Sequence, residues 1–432
     1  MSLSGWGNYP HIHSNVFDYA NETELLYTLQ KHCEIIPFGN GRSYGDSALN
    51  KNIINTKKCN YFLSFDEGSG VLHCQAGVLL SEILEVFVPK GWFLSVTPGT
   101  KFITIGGAIS SDVHGKNHHI AGSFSDTTLS FRIAMPNGKI VECSRNNNEE
   151  LFRATCGGMG LTGVIIDAKI KLQPIKSTSI NQITIKTKNL NETFEAFERY
   201  LDYTYSVAWI DCLSKGDKIG KCLLMVGEHG NDGHLEYKNE TKLFVPFNLP
   251  SLTLNRFSVS TFNMLYYGKA KSGVSEQKVS IDSFFYPLDA IAHWNRIYGK
   301  KGLTQYQFVL PKEKSYEGLK KILGKIADSG KGSFLAVLKL FGKGNKNYLS
   351  FPIEGYTLAL DFKIEPDLFP LLDELDKVVL DYGGRFYLAK DCRLTKETFE
   401  QGYPQIETFR AFRDQHNLNG TLQSLQSKRV RI

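Results

Sequence analysis

Apolar and polar residues alternate between positions 164 and 172. Ala168, Ile170 and Leu172 fall on one side, and Asp167, Lys169 and Lys171 on the other. A period of two predicts a half-buried strand, which Pro174 closes. Residues 71–77 read as an earlier strand entering a turn. A helix follows, with Leu80, Ile83, Leu84 and Phe87 at the i, i+3, i+4, i+7 spacing. Segments 131–135 and 139–143 flank Pro136-Asn137-Gly138, a hairpin signal. Residues 149–155 read as a short helix opened by a capping cluster, Asn146-Asn147-Asn148. The later chain holds a quasi-repeat of strand, helix and strand. In the first copy, strand 305–310 precedes a helix capped by Ser315 that carries Leu319, Ile322, Leu323 and Ile326 and ends at Gly330; strand 334–341 returns. In the second copy, strand 356–362, a helix with Leu371, Leu372, Leu375, Val378 and Val379, and Gly383-Gly384 lead into strand 385–388. Helices that leave and rejoin a sheet in this way predict an α+β fold with helices on one face. Residues 232–280 are polar and irregular, and read as a mobile loop or lid.

Composition narrows the class. At 432 residues the chain is long enough for two or three domains, and 42% hydrophobic against 22% charged residues suits a globular protein with a sizeable core. The net charge of +6 is not gathered into long basic runs, which argues against nucleic acid as a partner. Lys428-Arg429-Val430-Arg431 reads as a solvated tail. No apolar run is long enough to span a membrane, and the first fifteen residues lack a leader pattern. Eight cysteines without a CxxC pair read as reduced thiols, and so as a cytoplasmic protein.

Two motifs suggest chemistry that their context denies. Gly158-Met159-Gly160-Leu161-Thr162-Gly163 matches GxGxxG, but these glycines follow a helix and feed a strand, the reverse of a dinucleotide fingerprint. His114, His118 and His119 have an HxxxHH spacing, yet no carboxylate or cysteine follows at ligand distance, so no metal is expected.

Two glycine-rich loops, about sixty residues apart, have a common logic. The first runs from Pro37 through Gly39, Asn40, Gly41, Arg42, Ser43, Tyr44 and Gly45 to Asp46. The second contains Gly99, Thr104, Ile105, Gly106, Gly107, Ser110, Ser111, Asp112, Val113 and His114. Backbone bare of side chains can bring N–H groups close to a pyrophosphate, and the hydroxyls add donors. A dinucleotide with a large planar ring would lie between them.

The first loop, with Thr97-Pro98-Gly99-Thr100 and Ile105-Gly106-Gly107-Ala108, resembles the FAD-binding domain of the vanillyl-alcohol-oxidase (PCMH-type) flavoproteins. The run from Asp112 to His119, then Gly160-Leu161-Thr162-Gly163, Ala208-Trp209, Gln305-Tyr306-Gln307-Phe308, Lys339-Leu340-Phe341-Gly342 and Ala389-Lys390-Asp391, resembles the branch acting on decaprenylphosphoryl-ribose-like sugars. The likeness covers nearly the whole chain. It implies an FAD domain from residues 1–175 and 385–432, with a substrate domain of antiparallel sheet, 176–384, inserted between. Family cofactor contacts carry over to Gly39, Asn40, Gly41, Arg42, Ser43, Tyr44, Gly45, Asp46, Gly99, Thr104, Ile105, Gly106, Gly107, Ser111, Asp112, Val113, His114, Ile165 and Tyr387. Many relatives fix FAD covalently through a histidine at the position of Arg42, so noncovalent FAD is implied, His114 being the remaining candidate for a link. For substrate the likeness points to Lys116, Trp209, Phe285, Gln305, Gln307, Lys339 and Lys390, and for catalysis to Lys390, Tyr44 and His114. A cation beside the flavin could stabilise developing negative charge, hold the substrate hydroxyl or accept its proton.

The chain departs from the pattern in places. Relatives carry cysteine and asparagine where Ala359 and Thr357 stand here, and often serine at Cys392. The implied reaction is oxidation of the C2 hydroxyl of a polyprenyl-phosphate-linked pentose to a keto sugar, with a separate NAD(P)H-dependent short-chain reductase completing an epimerisation in cell-envelope polysaccharide synthesis. Peripheral membrane contact is compatible with such a substrate. The alternatives are an aldonolactone or alditol oxidase on a soluble polyol, and a flavin-free carbohydrate- or metal-binding module.

Overall fold

A computed structural model describes residues 1–239 and 243–432. Two antiparallel sheets dominate a mixed α/β architecture. The first contains β1 (Phe62–Asp66), β2 (Val71–Gln75), β3 (Trp92–Leu94), β4 (Thr128–Ala134), β5 (Ile140–Ser144) and β6 (Val164–Pro174), in the order β5-β4-β6-β2-β1, with β3 also paired to β6. Its alternation is the one the sequence predicts, with one exception. Asp167 is buried beyond a register shift in β6, where Arg132 and His73 pair with it. Helix α1 (Leu80–Phe87) buries Leu80, Ile83, Leu84 and Phe87. A small parallel sheet of Asn15–Phe17, Asn52–Asn55 and Ile35–Phe38 leads into the first glycine-rich loop.

The second sheet has eight strands: β7 (Ser179–Thr187), β8 (Tyr205–Ile210), β9 (Cys222–His229), β10 (Val274–Ser280), β11 (Leu303–Pro311), β12 (Ala336–Phe341), β13 (Gly355–Lys363) and β14 (Arg385–Phe386). The order is β10-β7-β9-β8-β12-β13-β11-β14, and every pairing is antiparallel. The two strand–helix–strand units interleave, since β13 lies between β12 and β11. Helices Leu190–Arg199, Lys312–Ser329 and Leu368–Asp381 pack on this sheet and on one another. Leu358 and Leu360 of β13 lie in the core, while Thr357 and Ala359, one residue off in phase, line the opposite face and its cavity.

Four local expectations are corrected. Asn148 adopts φ 51° and caps nothing with its side chain, which donates to the Glu142 carbonyl instead. Ser315 lies inside a helix that starts at Lys312, directly after β11, and its hydroxyl donates to the carbonyls of Leu310 and Pro311. Of strands 334–341 and 385–388, only Ala336–Phe341 and Arg385–Phe386 pair; Leu388–Lys390 is a 3-10 turn, which sets Lys390 on a tight bend. The segment read as a mobile lid contains helix α2 (Arg256–Lys269) and edge strand β10, although its residues 240–242 lie outside the described ones. Serine and asparagine dilute the hydrophobic period of α2, yet Asn255 caps its first turn by accepting from the N–H groups of Phe257 and Ser258. No helix among the described residues is long and apolar enough to cross a membrane.

Candidate active site

Both glycine-rich loops and the open face of the eight-stranded sheet enclose a cavity of about 410 Å³. Side-chain-free backbone is what lets the loops meet. A Cβ on Gly39 would lie 2.5 Å from the Thr104 hydroxyl, and one on Gly45 only 1.7 Å from the Asp391 carbonyl oxygen. The Asn40 amide donates to the Phe102 carbonyl at 2.7 Å, and the Tyr44 N–H donates to Ala389 at 3.0 Å. Thr104 caps the helix Ile105–Ser110 by accepting from the Gly107 N–H, and Asp289 accepts from the Thr100 hydroxyl and the Lys101 N–H, each at 2.8 Å. Arg42 stacks over Trp6 at 4.1 Å.

Of the residues expected to hold the cofactor, Gly39, Asn40, Gly41, Arg42, Ser43, Tyr44, Gly45, Gly99, Thr104, Gly106, Gly107, Ser111, Val113, His114, Ile165 and Tyr387 line this cavity. Asp46, Ile105 and Asp112 are outside its lining. Ile105 is in the core, and Asp46 pairs with Arg429, whose segment, read as a solvated tail, is instead helical with Val430 buried and Arg429 clamping Asp46 and Asp391. Asp112, at φ 39°, accepts from Ser125 N–H through one oxygen and from Asn345, Asn347 and Ser350 through the other, so it fastens the second loop to segment 345–350. Gly160 and Gly163, set aside as a nucleotide fingerprint, reach the cavity wall as well. They follow a helix and feed β6, as their context indicated, and contribute bare backbone there rather than a Rossmann turn.

The substrate-side candidates come from adjacent register positions. Gln305 lies opposite Asp361, Gln307 opposite Ala359, Lys339 opposite Thr357 and Trp209 opposite Val337. Residues two apart share a face, so Gln305 and Gln307 turn the same way, and with Trp209 and Lys339 from neighbouring strands and Lys116, Phe285 and Lys390 from loops and short helical turns they line the one cavity. Trp209 is anchored by its N–H to the Phe334 carbonyl at 3.0 Å. The Gln307 amide donates to His114 Nε2 at 3.1 Å, so the ring's proton sits on Nδ1, which has no hydrogen-bond partner among the described residues. Burial, with Lys339, His118 and Lys390 nearby, pushes the pKa of His114 well below the usual range and keeps it neutral.

Three lysines face the cavity, and none has a carboxylate within ion-pair distance among the described residues. Burial pushes Lys116 down to about 7, with Lys339 adding repulsion, and Lys339 itself down to about 8. Lys116 donates to the Phe284 carbonyl. Lys390 Nζ lies 3.9 Å from the centre of the Tyr44 ring, and its pKa is lowered by burial, offset in part by Asp361 and deepened by Lys339. Asp361 is itself raised by burial. One oxygen accepts from Gln305 at 2.5 Å and the other has no hydrogen-bond partner among the described residues. Sequence reasoning missed Asp361 and Asp289. The phase of β13, which puts Asp361 with Thr357 and Ala359, was the available signal for the first. Of the histidine trio, His114 and His118 both pack on the Phe341 ring, each at 4.6 Å, whereas His119 Nε2 bonds the Tyr203 carbonyl at 2.9 Å.

Bare loop backbone, hydroxyl donors and an unpartnered buried imidazole N–H suit a pyrophosphate-bearing cofactor with a polar ring. The model of the FAD-binding domain family matches residues 22–144, and with it the chain is an FAD-dependent oxidoreductase. The sequence is 36% identical to decaprenylphosphoryl-beta-D-ribose oxidase of Mycolicibacterium smegmatis, over all of this chain and 97% of that protein. An L-gulonolactone oxidase of Bos taurus is 24% identical over 92% of this chain and 89% of its own length. The chain belongs to the family of the decaprenylphosphoryl-ribose oxidase, within the vanillyl-alcohol-oxidase superfamily of flavoproteins.

Proposed function

We propose that this flavoenzyme oxidises the C2 hydroxyl of a pentose carried on a polyprenyl phosphate, giving a keto sugar. The observation that carries the reading is the set of Lys116, Lys339 and Lys390 on one cavity wall without a paired carboxylate. Such a wall stays short of negative charge until an anionic substrate supplies it. The glycine-rich cradle, with Gly39, Gly41, Gly45, Gly106 and Gly107, would hold FAD without a covalent link, and FAD bound there would supply the two-electron acceptor for the C2 hydride. Lys116 and Lys339 hold the phosphate. Gln305 and Gln307 orient the sugar hydroxyls, and Trp209 and Phe285 wall the ring. Lys390 accepts the C2 hydroxyl proton at Nζ, since its lowered pKa leaves a neutral fraction near pH 7. Tyr44 positions it through the ring face. Neutral His114 fixes the Gln307 amide. On this reading, residues 1–175 and 385–432 form the cofactor unit and 176–384 the substrate unit of a protein that works on the cytoplasmic side. The keto sugar then needs a separate NAD(P)H-dependent reductase.

The test is anaerobic loss of the yellow flavin absorbance on adding a polyprenyl-phosphoryl pentose, with soluble aldonolactones and alditols beside it. Bleaching by the phospho-sugar is expected. Bleaching by a lactone or polyol alone overturns the substrate. Acid precipitation should release the colour to the supernatant; colour in the pellet overturns the noncovalent attachment.

A further inference from the structure

Large apolar side chains are exposed in one stretch of the chain to an unusual degree. Leu243, Phe244, Phe247, Leu252, Phe257 and Leu265 all face solvent, with Leu252 at 84% and Phe257 at 79% exposure. Helix α2 separates two faces. Val259 and Asn263 point inward, where the Asn263 amide donates to Asp211. Phe257, Met264 and Leu265, at the i, i+7, i+8 spacing, form an outward apolar stripe. The charge over this stretch has one sign. From 243 to 275 there is no Asp or Glu, while Arg256, Lys269 and Lys271 are present. The patch is also continuous with the cavity. Tyr266 of the same helix lines the wall with its ring 4.9 Å from that of Trp209, and Phe262 stacks on Tyr266.

We propose that residues 243–271 form a docking surface for an anionic lipid bilayer, which seats the cavity rim against the membrane. Large apolar side chains left to water in such number along one stretch of chain mark an interaction surface. An amphipathic helix with cations at its margin lies in the headgroup region with its apolar side among the acyl chains, held by buried area and by attraction to anionic lipid. The lipid chain of the substrate can then remain in the bilayer while the sugar reaches the lysine wall past Tyr266. That purpose rests on the polyprenyl-phosphate reading; the surface itself rests on exposure and charge.

The test is co-sedimentation of the FAD-loaded full chain with substrate-free vesicles of phosphatidylcholine containing about 30% phosphatidylglycerol, beside pure phosphatidylcholine. Binding to the anionic vesicles is expected. The triple variant Phe247→Ser, Phe257→Ser, Leu265→Ser should bind roughly ten-fold or more weakly, with flavin content unchanged. Lys269→Glu with Lys271→Glu should also weaken binding roughly ten-fold, and it serves as the second variant should the triple one misfold. Wild-type protein that stays in the supernatant, or variants that pellet as well as wild type, overturn the proposal. A dimer that the triple variant dissolves, without vesicle binding, assigns the patch to a second copy of the chain and overturns it too. Vesicle binding by an enzyme that fails to oxidise a polyprenyl-phosphoryl pentose leaves the surface standing and removes only the substrate.

Discussion

An anion entering the lysine wall should bring protons with it. At pH 8, Lys116 at about 7 is roughly 90% neutral and Lys339 at about 8 is half neutral. A phosphate placed between them restores the charged forms, so binding takes up about 1.4 protons at pH 8 and only about 0.1 at pH 6. A pentose 1-phosphate esterified with a short alkyl chain is the suitable probe, because a phosphodiester keeps one negative charge throughout this range. Isothermal titration in two buffers of different ionisation enthalpy, at pH 6 and pH 8, counts the protons directly. The dissociation constant should rise with pH, with a logarithmic slope approaching roughly 1.4 near pH 8. Lys116→Met should remove about 0.9 of the uptake. An uptake below about 0.3 protons at pH 8 would refute the view that these lysines are held partly neutral until an anion arrives.

Lys390→Ala should keep its flavin and lose roughly 10²–10³-fold in turnover, measured by steady-state oxidation; unchanged turnover excludes it from the chemistry. Lys339→Met should stabilise the ligand-free protein at pH 7 by about 1–3 kcal/mol while weakening anion binding. The sign follows from linkage. The folded pKa of Lys339 lies below the unfolded one, so the unfolded chain holds more protons between about pH 8 and 10, and that lysine's destabilising effect fades as pH rises through the window. Thermal melts of wild type and variant should therefore converge toward pH 10. Gly45→Ala puts a methyl group against the Asp391 carbonyl and should cost about 3 kcal/mol or more together with most of the bound flavin, read from melting and from the ratio of flavin to protein absorbance.

Strands with one buried face were legible because period two survives in the sequence, as in β6 and in the interleaved units around β11 and β13. The glycine-rich loops were legible because bare backbone at close approach demands glycine. Other features depended on partners distant in sequence. Asp112 sits in the motif that suggested a cofactor contact, yet one of its oxygens serves residues 345–350 and the other the Ser125 N–H. Asp361 acquires its place only from the register between β13 and β11. Ser315 and Asn148 look like caps by residue type, but the backbone around each puts the side chain to another use. Helix α2 was hidden because serine, threonine and asparagine interrupt its hydrophobic period and one of its two buried residues, Asn263, is polar.

The grip of Arg429 on both Asp46 and Asp391 sets a timetable for making this protein. Asp46 leaves the ribosome early, but the carbonyls of 389 and 391 that abut its loop, and the guanidinium that clamps both carboxylates, follow more than 340 residues later. At roughly 5–20 residues per second the first loop waits about 20–80 s for its partners. The cradle is therefore unfinished until Tyr387 and Lys390 have emerged, and a chain truncated before Arg429 should retain less flavin than the full chain, read from the ratio of flavin to protein absorbance.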